Sequence, residues 1–141
     1  LKNFPATLHH PKEEQHLFAR LRERSEACAA ELDELHRQHE RDTQWIATLA
    51  QRVEELAAAD AAAQPAVTRQ LEQDVQAYAR FLWDHMGREE GVILPAAQAH
   101  LSADDWQAID SAFAENRDPG FGDAADHEYR RLFSRIVNLA A

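Results

Sequence analysis

Two groups of histidine and glutamate residues have the types and spacing that metal binding requires. They read HHPKEE at residues 9–14 and HMGREE at residues 85–90. In each group a histidine precedes a glutamate by four residues. The two pairs are His9 with Glu13 and His85 with Glu89. Side chains at i and i+4 lie one above the other on a helix, so each pair can offer an imidazole and a carboxylate to a metal ion. Two such helices side by side can hold two ions.

The first group also contains an overlapping pair one residue further on, His10 with Glu14. The apolar residues that follow share a helical face with this second pair almost as well as with the first pair. The group at 85–90 has a methionine where a second histidine would stand. This internal repeat favours His9 and Glu13, and His10 with Glu14 remains the alternative.

A third set of polar residues interrupts the most regular apolar pattern of the chain. Over roughly 26–59, apolar residues recur at spacings of three and four, which predicts a helix packed lengthwise on its neighbours. Only His39 and Asp42 break this apolar seam. Buried polar groups cost stability unless they are satisfied, and metal ligation is one way to satisfy them. His36, three residues before His39, is a candidate ligand, a hydrogen-bond partner of a ligand or a boundary residue.

The ligand types narrow the choice of metal. The chain has one cysteine and no full cage of carboxylates, which disfavours cysteine-type structural zinc and calcium. Mixed imidazole and carboxylate ligands suit iron, with manganese and zinc as alternatives. A metal ion also supplies the counter-charge that buried carboxylates need. Two carboxylates shared between helices can bridge a pair of irons, so the sequence predicts a dinuclear site.

Helices are the elements predicted to position these residues. The chain of 141 residues fits one domain, its 4 Gly and 5 Pro are few, and strand-like alternation is nearly absent. Tyr78 precedes His85 by two helical turns and could donate a hydrogen bond toward the site, although core packing explains it equally well. Ser102 and Asp105 form a capping box. Besides 26–59, helices are predicted over about 1–23, 66–99, 103–116 and 124–139.

Charge and hydropathy restrict the partners. The net charge of −10 argues against nucleic acid, which binds a clustered basic face. No apolar run approaches the ~20 residues of a membrane span, and no secretion signal is visible. A single cysteine suits a reducing compartment. We therefore expect a cytoplasmic protein that uses neither a membrane nor nucleic acid.

These residues resemble the hemerythrin-like family, also called the HHE cation-binding domain, in its bacterial form. Three motifs in order carry the resemblance: the 9–14 group with the apolar pair after it, Leu35 followed by His39, and the 85–90 group. The resemblance implies an all-α, up-and-down four-helix bundle over a single domain, residues 1–141, with short additional helices at its C-terminal end. It also implies a non-haem di-iron centre. The residues it assigns are His9, His39 and His85 as terminal imidazole ligands and Glu13 and Glu89 as bridging carboxylates.

The sequence departs from this family in two respects. The family pattern begins with a further helix that supplies another histidine ligand, and we expect that helix to be missing from the sequence. The invertebrate oxygen carriers place two histidines four residues apart on the third bundle helix, where this chain has Leu35 and His39. Fewer histidine ligands leave open coordination positions, which suit reactivity or sensing better than reversible oxygen carriage.

Two hypotheses about function follow. The first is a di-iron protein that binds oxygen, nitric oxide or peroxide for sensing, storage or detoxification. The second is a helical interaction or dimerisation module, such as a homodimer, with a structural or vestigial metal. An enzyme ranks lowest, because no dedicated acid, base or substrate pocket can be identified in the sequence.

Overall fold

A computed structural model describes residues 9–114. In this part the chain is almost entirely helical and has no strand, which confirms the predicted all-α class. The predicted helix at 124–139 lies outside the described residues. Helix α1 consists of His10–Lys12, a π-helical segment Glu13–Phe18 and Ala19–Arg24. Helix α2 is Ala29–Ala58. Helix α3 consists of Gln64–Arg88, a π-helical segment Glu89–Ile93 and Leu94–His100, and α4 is Ala103–Ala114.

Helices α2 and α3 form a long antiparallel hairpin. Its turn is stabilised by Asp60, whose side chain accepts hydrogen bonds from the backbone N–H groups of Ala62 and Ala63 at 3.0 and 2.9 Å. Pro65 lies in the first turn of α3, where its missing N–H costs nothing. Side-chain contacts along the hairpin pair early residues of α2 with late residues of α3. They are Glu31 with Arg88, Gln38 with Asp84, Asp42 with Tyr78 and Arg52 with Asp74.

The apolar core lies at one end of this hairpin, where α1 and α4 pack against it. Leu32 and Leu35 of α2, Leu21 of α1 and Ile93 of α3 are fully buried there. Phe18 connects the core to the polar cluster, because its ring stacks on that of His39 with centroids 5.7 Å apart. The candidate ligands therefore border a dry, closely packed region.

Helix α4 is held in place by the predicted capping box. The Asp105 backbone N–H donates to Ser102 Oγ at 3.2 Å, and the Ser102 N–H donates to Asp105 Oδ2 at 3.0 Å. Arg24 donates to both carboxylate oxygens of Asp105 and thereby ties α4 to the end of α1. At the other end of α4, Lys12 donates to the carbonyl oxygen of Ala112.

The two π-helical segments begin at the glutamates of the two repeated groups, Glu13 and Glu89. A π-helical turn contains an extra residue, and such turns often occur at functional sites. The extra residue rotates the side chains that follow relative to a regular α-helix. The sequence pattern predicts ordinary α-helix over both stretches and does not predict this winding.

The apolar seam predicted over roughly 26–59, on α2, is buried only near the core, and so are the apolar residues of α3. Leu32 and Leu35 are fully buried, whereas Val53 is 56% exposed and Val75 is 47% exposed. Both valines lie toward the turn of the hairpin. The seam therefore packs over only part of its length.

Candidate metal centre

Side chains from α1, α2 and α3 converge on one buried cluster. Two sets of three residues bring one potential ligand atom each to within 4.8 Å of the others. The sets are His10, His39 and His85, and Glu13, His39 and Glu89. The cluster thus contains four of the five residues expected to be ligands, and His39 belongs to both sets. Two overlapping sets of this kind fit a metal site.

The adjacent residues His9 and His10 occupy different places. His10 is buried, and its ring stacks on that of His39 with centroids 4.0 Å apart. The side chain of His9 is 40% exposed and lies at the edge of the cluster, with its Nε2 3.1 Å from Glu13 Oε1. Its ring also meets Phe113 of α4 edge to face. The structure therefore brings His10 with Glu13 into the cluster, a combination that mixes the two pairs considered from the sequence.

Each of the two glutamates has one carboxylate oxygen that faces an imidazole but makes no hydrogen bond. Glu13 Oε2 lies 3.4 Å from His39 Nε2, and Glu89 Oε1 lies 3.2 Å from His85 Nε2. Both oxygens are buried and have no hydrogen-bond partner. They are free to serve as ligands.

Glu14 and His36 lie outside the cluster, on its solvent side. Glu14 Oε1 is 2.8 Å from His39 Nδ1 and 3.1 Å from His36 Nδ1, and the His36 side chain is 56% exposed. Glu14 thus contacts the ring nitrogen of His39 that points away from Glu13. A pocket opens on this side of the molecule, and its lining comprises His10, Pro11, Glu14, His36, His39, Glu40 and Thr43.

Gln38 orients one of the histidines, a role that the sequence analysis did not predict. It is buried, and its Oε1 accepts a hydrogen bond from His85 Nδ1 at 3.1 Å. Its Nε2 donates to Glu34 and Asp84, which fixes the direction of the amide. His85 therefore carries its proton on Nδ1 and directs Nε2 toward Glu89, as metal-ligating histidines usually do. A glutamine within a strongly polar stretch gave no sequence signal for this contact.

Tyr78 contacts Asp42 and none of the predicted ligands. Its hydroxyl donates to Asp42 Oδ1 at 2.8 Å. Burial and this neighbouring carboxylate both raise the pKa of Tyr78 above its ordinary value. Tyr78 therefore remains protonated and acts as a hydrogen-bond donor. It is linked to His10 through Asp42.

The buried polar atoms that lack a hydrogen-bond partner all belong to this region. In the part of the chain that the structure describes there are five of them. They are His10 Nδ1, Glu13 Oε2, His39 Nε2, Asp42 Oδ2 and Glu89 Oε1. Buried polar atoms are nearly always paired in native proteins. Their concentration at one place, all nitrogen or carboxylate oxygen, fits a metal ion as the missing partner.

The pKa values of the cluster show how its charges are arranged without metal. Burial, followed by the neighbouring His39, lowers the pKa of His10 to about 3, so this imidazole is neutral. Burial also lowers the pKa of His39, but the neighbouring carboxylates of Glu13 and Glu14 outweigh it and raise the value overall. Burial raises the pKa of Glu13, and the neighbouring imidazoles of His39 and His9 more than reverse this. Glu13 is therefore ionised, and His10 is in the neutral form that binds metal.

Comparison with known proteins shows which family the chain belongs to. A family model described as hemerythrin HHE cation binding domain matches residues 5–97, well over half of the chain. The chain belongs to this family. The hemerythrin HHE match includes every residue of the two ligand sets, so the cluster lies within the part of the chain that matches the cation-binding domain. No curated protein and no solved structure matches the chain. Among the helices of residues 9–114, none combines the length and the apolar character that crossing a membrane requires.

Proposed function

We propose that the chain is a non-haem di-iron protein that binds oxygen, nitric oxide or peroxide for sensing, storage or detoxification. The observation that carries this proposal is the group of buried, unpaired ligand atoms, four of which belong to residues of the two overlapping sets that share His39. Three imidazoles and two carboxylates make a donor set that suits iron, and manganese or zinc less well. We further propose that the protein acts in the cytoplasm.

Each group of residues has a distinct role in this proposal. His10, His39 and His85 would be the imidazole ligands, and Glu13 and Glu89 would be the carboxylates shared between the two metals. His9 supports Glu13 from the edge of the cluster. Iron bound here would supply reversible electron transfer and an open coordination position for a small molecule.

The surroundings of the cluster suit a small ligand. Phe18 is buried and its ring stacks on that of His39, which excludes water on the core side. On the other side, the pocket beside Glu14 and His36 gives a route from solvent toward His10 and His39. We propose that a site buried on the core side and reached through this pocket suits oxygen, nitric oxide or peroxide.

A second function, a helical interaction module or homodimer with a structural metal, is favoured by one observation. Four large apolar residues between positions 83 and 94 of α3 are exposed, and Trp83 is the most exposed of them at 74%. Exposed apolar patches often mark interfaces between proteins. The four residues are Trp83, Met86, Val92 and Leu94.

Anaerobic loading with Fe(II), elemental analysis and an absorption spectrum after exposure to air distinguish the two functions. We expect close to two irons per chain and new near-ultraviolet or visible charge-transfer bands. Glu89→Ala should abolish this stoichiometry, and the matched control Glu90→Ala should not, because Glu90 is exposed. Absence of iron, or zinc alone without a spectrum, would contradict the di-iron proposal and favour the interaction module.

A further inference from the structure

We infer that Asp42 is an additional metal ligand, bound to the same ion as His10. This inference rests on the proposed metal-binding function. Asp42 lies on α2 three residues after His39, a spacing that places both side chains on one face of the helix. It belongs to neither of the two sets of three described above. It would give the centre a third carboxylate.

The first argument is burial without a partner. Asp42 is 2% exposed, which is among the lowest values for a charged side chain in the described residues. Its Oδ2 is one of the five buried atoms that lack a hydrogen-bond partner. A buried carboxylate oxygen that is left unpaired is costly. Coordination of a cation would remove this cost.

The second argument is distance. Asp42 Oδ2 faces His10 Nδ1 across 3.9 Å, and the His10 nitrogen is also unpaired. A hydrogen bond between them would require about 2.7–3.2 Å. Two ligand atoms bound to one ion, each at about 2.1 Å, lie between about 3.0 and 4.2 Å apart, depending on the angle at the metal. The observed gap is too long for a hydrogen bond and fits a shared ion.

The third argument is orientation. The Tyr78 hydroxyl holds Asp42 Oδ1 at 2.8 Å, so the carboxylate cannot rotate freely. The other oxygen is thereby directed at His10. On the opposite side of His39, one turn earlier in α2, the corresponding side chain is the fully buried and apolar Leu35. In this chain α2 therefore offers its second ligand after His39 and not before it.

Substitution of Asp42 by cysteine tests for direct ligation. Cobalt(II) bound to a thiolate has a sulfur-to-metal charge-transfer band in the near ultraviolet, which a residue that does not touch the metal cannot produce. We expect this band in Co(II)-loaded Asp42→Cys, and not in the unaltered protein or in Arg41→Cys. Arg41 is the matched control because it is the exposed neighbour of Asp42 on the same helix. Asp42→Asn, which keeps the shape and removes the charge, should weaken Co(II) binding at least tenfold.

The possible results separate this inference from the proposed function. If the unaltered protein takes up no Co(II), both are overturned. If it takes up Co(II) but folded Asp42→Cys lacks the band, only the role of Asp42 is overturned. Circular dichroism of the metal-free variants establishes folding. If Asp42→Cys does not fold, Asp42→His provides the test. A Co(II) affinity higher than that of Asp42→Asn supports ligation, and a Co(II) affinity equal to that of Asp42→Asn contradicts it.

Discussion

Two adjacent histidines in this protein differ in burial and in contacts. His10 is buried, neutral and stacked on His39, whereas His9 is partly exposed and contacts one oxygen of Glu13. Consecutive residues on an α-helix point about 100° apart, so only one of them can face the centre directly. This difference leads to opposite expectations for two nearly identical substitutions.

His10→Ala should reduce metal binding far more than His9→Ala. Loss of His10 removes a buried nitrogen from a set of three, and we expect at least a tenfold weaker affinity and loss of about one ion per chain. His9→Ala removes a partly exposed contact with Glu13 at the edge of the cluster, and we expect full stoichiometry. Titration with Co(II) and elemental analysis measure both quantities. Equal losses in the two variants would show that His9 is itself a ligand.

The lowered pKa of His10 gives the metal-free protein a defined pH dependence. The unfolded chain takes up a proton at His10 near pH 6.5, while the folded protein does not until about pH 3. The unfolded state therefore binds more protons in this interval, and folding stability falls as the pH is lowered through it. The slope for one proton is at most about 1.4 kcal/mol per pH unit.

Comparison with His10→Gln isolates this contribution. Glutamine does not titrate, so the stability advantage of the unaltered protein over the variant should shrink by about 1 kcal/mol between pH 6.5 and 5. Chemical denaturation in the presence of a chelator measures it. The interval lies above pH 4.5, the ordinary value for Glu13, so protonation of that carboxylate does not interfere. A difference that stays constant with pH would mean that His10 titrates normally.

At the scale of the elements, the centre is assembled by contacts between helices. Helix α2 contributes His39 as a shared ligand, and its Gln38 orients His85 across the hairpin. Helices α1 and α3 each contribute a histidine and a glutamate, and both change from α- to π-helical winding at that glutamate. Precise ligand positions therefore depend on how the three helices are held together.

Gln38→Leu should weaken metal binding without removing a ligand. Leucine cannot accept the hydrogen bond from His85 Nδ1, so this imidazole is no longer held with Nε2 toward Glu89. Loss of such an outer partner typically lowers metal affinity 10- to 100-fold, with stoichiometry unchanged at saturating metal. Gln44→Leu is a suitable control, because Gln44 lies on the same helix and is exposed. Co(II) titration of both variants provides the measurement, and equal affinities would contradict the role of Gln38.

At the scale of the whole molecule, metal binding and folding should be coupled. The structure buries unpaired carboxylate oxygens from three helices close to one another. Without a cation, these unpaired oxygens disfavour the packing of α1 against the α2–α3 hairpin. With a cation, they become the contacts that join the three helices.

Metal removal should therefore lower the melting temperature. A ligand that binds only the folded state stabilises it by about 2.7 kcal/mol at a hundred times its dissociation constant. For a protein of this size that corresponds to several degrees. Calorimetry with and without a chelator tests this expectation, and Glu89→Ala should show a much smaller difference. An identical melting temperature with and without metal would contradict the coupling.

Much of this architecture could be predicted from the sequence because it depends on local rules. Helix propensity and apolar spacing predict the helices, and the capping box at Ser102 and Asp105 predicts the start of α4. Residue type and i, i+4 spacing identify the repeated His and Glu groups as candidate ligands. These features depend on neighbours within a few residues, so the sequence alone is sufficient for them.

Other features depend on how the helices rotate and meet. The choice between His9 and His10 is set by the rotation and winding of α1, because both residues satisfy the same local spacing. The contacts of Gln38 with His85 and of Asp42 with Tyr78 join residues far apart in the chain. Such contacts have no local signature, because they exist only after α2 and α3 have packed in one register. The sequence therefore determined the kind of chemistry, and tertiary packing decided which atoms face one another.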